Sequence, residues 1–279
     1  MEIESTLASE ESVGDETFVL DNRLNKFQEL FSMCIENVYS PTVMLTWSDE
    51  EIHTFFMVLN HINFYAPTDA SLLLFSKFVS EISEDNSNHK NYRKQLEQKL
   101  WKGWQFDELQ NYKLISGESS TYIIPEIKSK KKNQQKGHKY LRVTNPKLLY
   151  EDYIDLSSGN FLVVVGSTLC SPSKRFTSWY EKRAEELQSS EFSVVWLTKQ
   201  FEESRFSNVY SFNKEHTHIE YNFVQAVEDW PFITYWGTPT IYFLSDGKLV
   251  AQIVGWPAEG RENQVFEKIN EYFAIEMSD

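Results

Sequence analysis

The chain has 279 residues, 41% of them hydrophobic and 15% aromatic, enough apolar surface to give a core to each of two domains. Its 41 acidic residues outnumber 27 basic ones for a formal net charge of −14, which sets aside a general affinity for nucleic acid or an anionic membrane, since both need a basic face. The two cysteines, Cys34 and Cys170, lie far apart, which excludes a disulfide-stapled scaffold and points to reduced thiols.

Residues 1–6 are acidic and polar, with neither a basic n-region nor an apolar h-region, and no stretch approaches the ~20 apolar residues of a membrane span. The expectation is a cytoplasmic protein with no membrane contact. Residues 1–18 read as a disordered acidic tail, with few large apolar groups to drive folding. From Leu20 the grammar becomes helical. Leu20, Leu24, Phe27, Leu30, Phe31, Cys34, Ile35 and Val38 fall on one helix face, where Cys34 reads as core. Ser48 with Glu51 forms a capping-box signal ahead of Ile52, Phe55, Phe56, Leu59 and Ile62. Thr68 can cap a third helix through Leu72, Phe75, Phe78 and Val79, and a fourth is expected over 90–109. Together, 19–115 form an all-α N-terminal module.

A linker or hairpin is expected over 116–140. It holds the lysine-rich run 128–139, which reads as a solvated tip or, alternatively, as a docking patch for an acidic partner or phosphate backbone. Residues 141–279 then form an α/β domain. Strands are expected at 140–143, 161–165, 192–197, 240–244 and 249–254, and helices at 174–188 and 262–274. Asp246-Gly247 between the last two strands is a hairpin turn signal. Alternating strands and helices followed by an antiparallel hairpin and a closing helix make a mixed sheet.

Chemistry concentrates at Cys170-Ser171-Pro172-Ser173, directly after the apolar run 161–165 and before an amphipathic stretch. A cysteine in a strand-to-helix turn meets a helix N-terminus, which lowers thiol pKa and raises nucleophilicity. Three features together resemble the thioredoxin superfamily, in its TlpA/ResA-like thiol-disulfide oxidoreductase branch. They are this cysteine turn, the segment Trp236-Gly237-Thr238-Pro239-Thr240 ahead of an apolar strand, and Asp246-Gly247-Lys248 followed by a strand ending at Gly255-Trp256. The resemblance covers about 120–279 and implies a thioredoxin-like mixed sheet flanked by helices. It makes Cys170 the attacking thiol and Pro172 the residue holding the turn. Pro239 becomes a cis proline against the sulfur, Thr238 its backbone hydrogen-bonding neighbour, and Trp236 part of the partner-binding segment.

The departures bear on function. Ser173 stands where the resolving cysteine would be, so a mixed disulfide on Cys170 has no internal route of release. Leu169 replaces an aromatic residue, and Val164 occupies the position where some relatives keep a buried acid. Two functions follow. One is monothiol thiol-disulfide exchange, or trapping of a protein or peptide partner as a mixed disulfide; the other is a redox-inactive thioredoxin-fold scaffold of a complex. Neither calls for a cofactor or metal. His216 and His218 lack further ligands nearby and read as a solvent-facing loop, while the aromatic cluster Trp230, Phe232, Tyr235 and Trp236 reads as core or as a docking rim. Oligomeric state is open.

Overall fold

The computed structural model describes residues 26, 28–29, 31–35, 39–116, 123–130, 135–188, 192–199 and 203–273. The expected acidic tail lies outside the described residues. The chain divides into two units, Met1–Ser120 and Thr121–Asp279.

In the first unit, a π-helical turn at Phe31–Ile35 falls within the first expected helix, and a short helix α1 (Pro41–Met44) follows. Then come α2 (Asp49–Tyr65), α3 (Asp69–Glu81), α4 (His89–Lys102) and α5 (Phe106–Ser116). The start of α2 is a complete capping box: the Ser48 hydroxyl accepts from the Glu51 N–H, and the Glu51 carboxylate accepts from the Ser48 N–H. Thr68 and Ser71 reproduce the arrangement for α3, and the Ser71 hydroxyl also donates to the buried Asn63 side chain. Between the helices lies an aromatic core in which Phe56 stacks on Tyr92 at 4.0 Å and packs against Phe75 at 5.3 Å.

The single helix expected over 90–109 is two. Gly103 approaches α3 so closely that a Cβ there would meet the Leu72 side chain at 2.7 Å, and Trp104 takes φ +60°, which ends the helical path. Gln105 restarts the chain, its side chain donating to Asp69.

The second unit is built on one eight-stranded mixed sheet, in the order β1-β3-β2-β6-β5-β4-β7-β8. Its strands are β1 (Glu126–Lys128), β2 (His138–Asn145), β3 (Leu148–Ile154), β4 (Asn160–Val165), β5 (Phe192–Thr198), β6 (Tyr221–Phe223), β7 (Thr240–Ser245) and β8 (Lys248–Val254). Helices α6 (Ser171–Gln188), α7 (Glu203–Glu215) and α8 (Glu262–Phe273) complete it. Strands β4, β5 and β6 are parallel, β7 runs antiparallel to β4, and β7–β8 is a hairpin. Asp246 and Gly247 turn that hairpin with φ of +47° and +75°, both in the left-handed region a tight two-residue turn requires. A mixed sheet with accompanying helices is the architecture the resemblance implies.

The apolar run in β4 is continuous because both of its faces are covered. Val163 and Val165 pack with Val195, Leu197, Tyr242 and Leu244 beneath Trp230 and Ile233, which arrive on the segment between β6 and β7. Aromatic side chains of α6 and α8 cover the other face. Phe176 meets Trp196 and Trp256, Trp179 meets Phe266, and Phe273 meets Phe243.

Three differences from the expected elements stand out. The stretch expected as linker or hairpin contributes β1, which pairs with β3, and the first residues of β2. Strands β3 and β6 and helix α7 were not foreseen. Among the described residues of the lysine run, Lys130 pairs with Asp152, Lys136 with Asp155 and Lys139 with Asp229, while 131–134 lie outside the described residues.

Removing the α2 or α3 cap strips one first-turn N–H of its partner, so Ser48→Ala and Thr68→Ala should each cost about 1 kcal/mol in chemical denaturation of the full chain. Thr68→Ala should cost the more of the two, because its cap joins the buried Asn63–Ser71 network.

Candidate functional site

Cys170 sits at the junction of β4 and α6. The register of β4 on β7 sets Val165 opposite Thr240, so the turn leaving β4 and the segment entering β7 emerge at the same edge. The first contains Cys170 and the second Thr238 and Pro239.

Local hydrogen bonds define the turn. Gly166 N–H donates to Leu197 O at 2.8 Å, Cys170 N–H donates to Ser167 O at 3.3 Å, and Lys174 N–H donates to Cys170 O at 2.9 Å, which makes Cys170 the residue that opens the helix. Pro172 falls in the first turn of α6, where a missing N–H breaks no helical bond. Ser173 is fully buried, and its hydroxyl accepts from the Ser167 N–H at 3.2 Å. It therefore fastens the turn and faces away from solvent.

Across the edge, the Thr238–Pro239 peptide bond is cis. The Cys170 thiol donates to the Thr238 carbonyl at 3.3 Å, and the Pro239 carbonyl accepts from Gly255 N–H at 2.7 Å. The approach to this segment is held from the core: the buried Tyr242 hydroxyl donates to Tyr235 O at 2.6 Å and accepts from Tyr235 N–H at 3.0 Å. Trp236 is partly buried against the core beneath Trp230. Leu169, 44% exposed, and Tyr235, 52% exposed, give a rim with apolar surface open to water.

The sulfur's surroundings favour its anion. Burial pushes the Cys170 thiol up, but the Thr238 side chain, the Ser173 N–H and hydroxyl, and the Arg175 guanidinium outweigh it, and the pKa falls below its ordinary value. The start of an 18-residue helix adds a dipole of the same sign. Arg175 is itself fixed, its guanidinium donating to Trp256 O at 2.7 Å and to Pro257 O at 3.2 Å. A half-buried thiol poised toward its thiolate can attack a disulfide.

The motif residues Cys170, Pro172, Ser173, Thr238 and Pro239 thus gather in one place. His216 and His218 do not join them. His216 N–H continues α7 by donating to Phe212 O, and the His216 ring stacks on Phe212 at 3.8 Å. Both histidines line a separate cavity of about 630 Å³ with Tyr140, Tyr210, Lys214 and Glu220. Among the described residues no group of three or more His, Cys, Asp or Glu could hold a metal ion, and no helix is long and apolar enough to cross a membrane. Sequence reasoning missed Arg175, Tyr221 and Tyr242. Arg175 carried a usable signal, a cation in the first turns of the helix that a cysteine opens. The two tyrosines reach the site only through the tertiary fold.

No protein-family model and no curated protein matches the chain. Similar solved structures include a thiol:disulfide interchange protein of the thioredoxin family from Chlorobium tepidum, 17% identical over 45% of this chain and 89% of that one, with a TM-score of 0.33. An uncharacterized thioredoxin-like protein from Porphyromonas gingivalis is 13% identical over 50% and 92%, with a TM-score of 0.38. A thioredoxin-like protein from Bacteroides caccae aligns over 96% of both chains at 11% identity, with a TM-score of 0.33.

With a lowered thiol pKa, the pH profile of iodoacetamide alkylation at Cys170 should have its midpoint below the ~8.5 of a free cysteine, read by peptide mass in a Cys34→Ser background. Arg175→Gln should slow alkylation at neutral pH by roughly two- to fivefold, the range of a solvent-screened charge. A midpoint at or above that of free cysteine would contradict the site electrostatics.

Proposed function

We propose that the protein carries out monothiol thiol-disulfide exchange through Cys170 on a protein or peptide partner. The observation that carries this reading is the placement of the partly exposed Cys170 sulfur at the start of α6, 3.3 Å from the Thr238 carbonyl. In the reaction, the Cys170 thiolate attacks one sulfur of the partner's disulfide. A Cys170–partner S–S bond forms, the partner's S–S bond breaks, and the departing sulfur leaves as a thiolate that takes a proton from water. An extended partner segment would pair its backbone at Thr238 while Leu169, Tyr235 and Trp236 bear on its side chains.

Ser173 sets the outcome. A hydroxyl at this position is too basic to attack the mixed disulfide, and its hydrogen bond to Ser167 keeps it committed to the turn. Release therefore requires an external thiol, which attacks the Cys170-bound sulfur and regenerates the thiolate. The reading takes the protein to be cytoplasmic, where low-molecular-weight thiols are abundant. The alternative, a scaffold whose fold is used without its thiol, has no observation of its own in its favour.

Incubation of the reduced Cys34→Ser protein with glutathione disulfide should give a single glutathione adduct on Cys170. Dithiothreitol should remove it, and Cys170→Ser should abolish it. Insulin reduction by the wild-type protein should stay at background, and Ser173→Cys should raise it severalfold by supplying the resolving thiol. An unreactive Cys170 in the folded protein, with normal adduct formation once it is unfolded, would defeat the exchange reading.

A further inference from the structure

Beneath the Cys170 turn lies a polar group for which the fold has no structural use. Tyr221, in β6, is 1% exposed, and among the described residues its hydroxyl has no hydrogen-bond partner. Its ring is enclosed by aromatic neighbours, with Trp196 edge-on at 5.5 Å and Phe212 at 5.4 Å. Phenylalanine would fill the same space without stranding a polar atom, so the hydroxyl works against stability where it stands.

The opposing residue makes room for that hydroxyl. Gly166 lies four positions before Cys170, and a Cβ on it would fall 2.2 Å from the Tyr221 oxygen. The backbone of Gly166 does not have a positive φ, so glycine is needed here for space rather than for conformation. The oxygen therefore occupies the space a side chain on Gly166 would need, next to the start of the turn that Ser173 fastens.

We propose that Tyr221 is a positioning residue whose buried hydroxyl, admitted by Gly166, acts from beneath the turn to stabilise the Cys170 thiolate. Burial, and then the negative charge on Cys170, push the phenol's pKa far above its ordinary range, so the group stays protonated and presents a donor at every working pH. Because Tyr221 is itself buried, its dipole acts toward the turn through protein rather than through water. The charged group that acts on the sulfur is Arg175 from α6, and the charge on Cys170 is in turn felt by Tyr221 of β6. Behind Tyr221, Tyr180 of α6 reaches the same aromatic layer through Trp196, and His216 stacks on the far side of Phe212.

This inference rests on the reading of Cys170 as a working thiol, and the test separates the two. The pH profile of iodoacetamide alkylation is measured on the full chain in a Cys34→Ser background, with and without Tyr221→Phe. The expected result is a midpoint higher by roughly half to one pH unit and alkylation at pH 7 slower by about three- to tenfold, with a thermal midpoint equal to or above that of the parent. Gly166→Ala, whose Cβ would fall 2.2 Å from the hydroxyl and 2.8 Å from a ring carbon and so displace both, should also raise the alkylation midpoint. A midpoint that Tyr221→Phe leaves in place would overturn the proposal. If the midpoint shifts but Cys170 forms no mixed disulfide, the exchange reading fails and the role of Tyr221 stands; if a mixed disulfide forms but the midpoint is unmoved, only Tyr221 is at fault.

Discussion

The antiparallel register of β4 on β7 is the constraint from which the site follows. With Val165 opposite Thr240, the turn after β4 and the cis Thr238–Pro239 segment before β7 leave the sheet side by side, and the Cys170 sulfur comes within 3.3 Å of the Thr238 carbonyl. A slip of one residue would reverse the faces of Tyr242 and Leu244, which belong with Val163 and Val165 in the core beneath Trp230. Burial on both faces therefore fixes the register, and the register fixes the distance from sulfur to carbonyl. The packing that stabilises the sheet also positions the chemistry.

On this frame the turn is set by small polar contacts. Ser173 occupies the position where a second thiol would complete a redox pair, and spends its hydroxyl on the Ser167 N–H. The same residue's N–H and hydroxyl help to hold the Cys170 pKa down. A serine at this position thus fastens the turn and supports the sulfur at once. Arg175 is treated alike, its guanidinium held by the carbonyls of Trp256 and Pro257 rather than left to wander. Such anchoring spends interactions on geometry and makes a purely vestigial cysteine the poorer explanation.

Much of this was legible in the sequence where local physics decides the outcome. The capping residues Ser48 and Thr68, the apolar run of β4, the Asp246-Gly247 turn and the apolar stripe of α8 all carry their signal within a few residues. The break between α4 and α5 does not, because no proline marks it; it follows from the close fit of Gly103 against Leu72 and the conformation of Trp104. Strand β6 has only three residues, too few for a period to register. Helix α7 carries Phe206, Val209 and Phe212 at helical spacing, but the serines and asparagines among them weaken the pattern. In the site, Cys170 and Pro239 were marked by their motif. Tyr242 and Tyr221 were silent because neither belongs to a motif: Tyr242 folds back on the Tyr235 backbone seven residues away, and Tyr221 meets Gly166 only through the tertiary fold.

The central claim is that this fold makes Cys170 a better nucleophile than a cysteine in an open chain. The direct measurement is the rate at which Cys170, in the Cys34→Ser protein, reacts with a small aromatic disulfide at neutral pH, in the native state and again in denaturing urea. The account predicts a faster reaction in the native protein, because the thiolate fraction is raised and Cys170 is partly exposed. A native rate equal to or below that of the unfolded chain would contradict it.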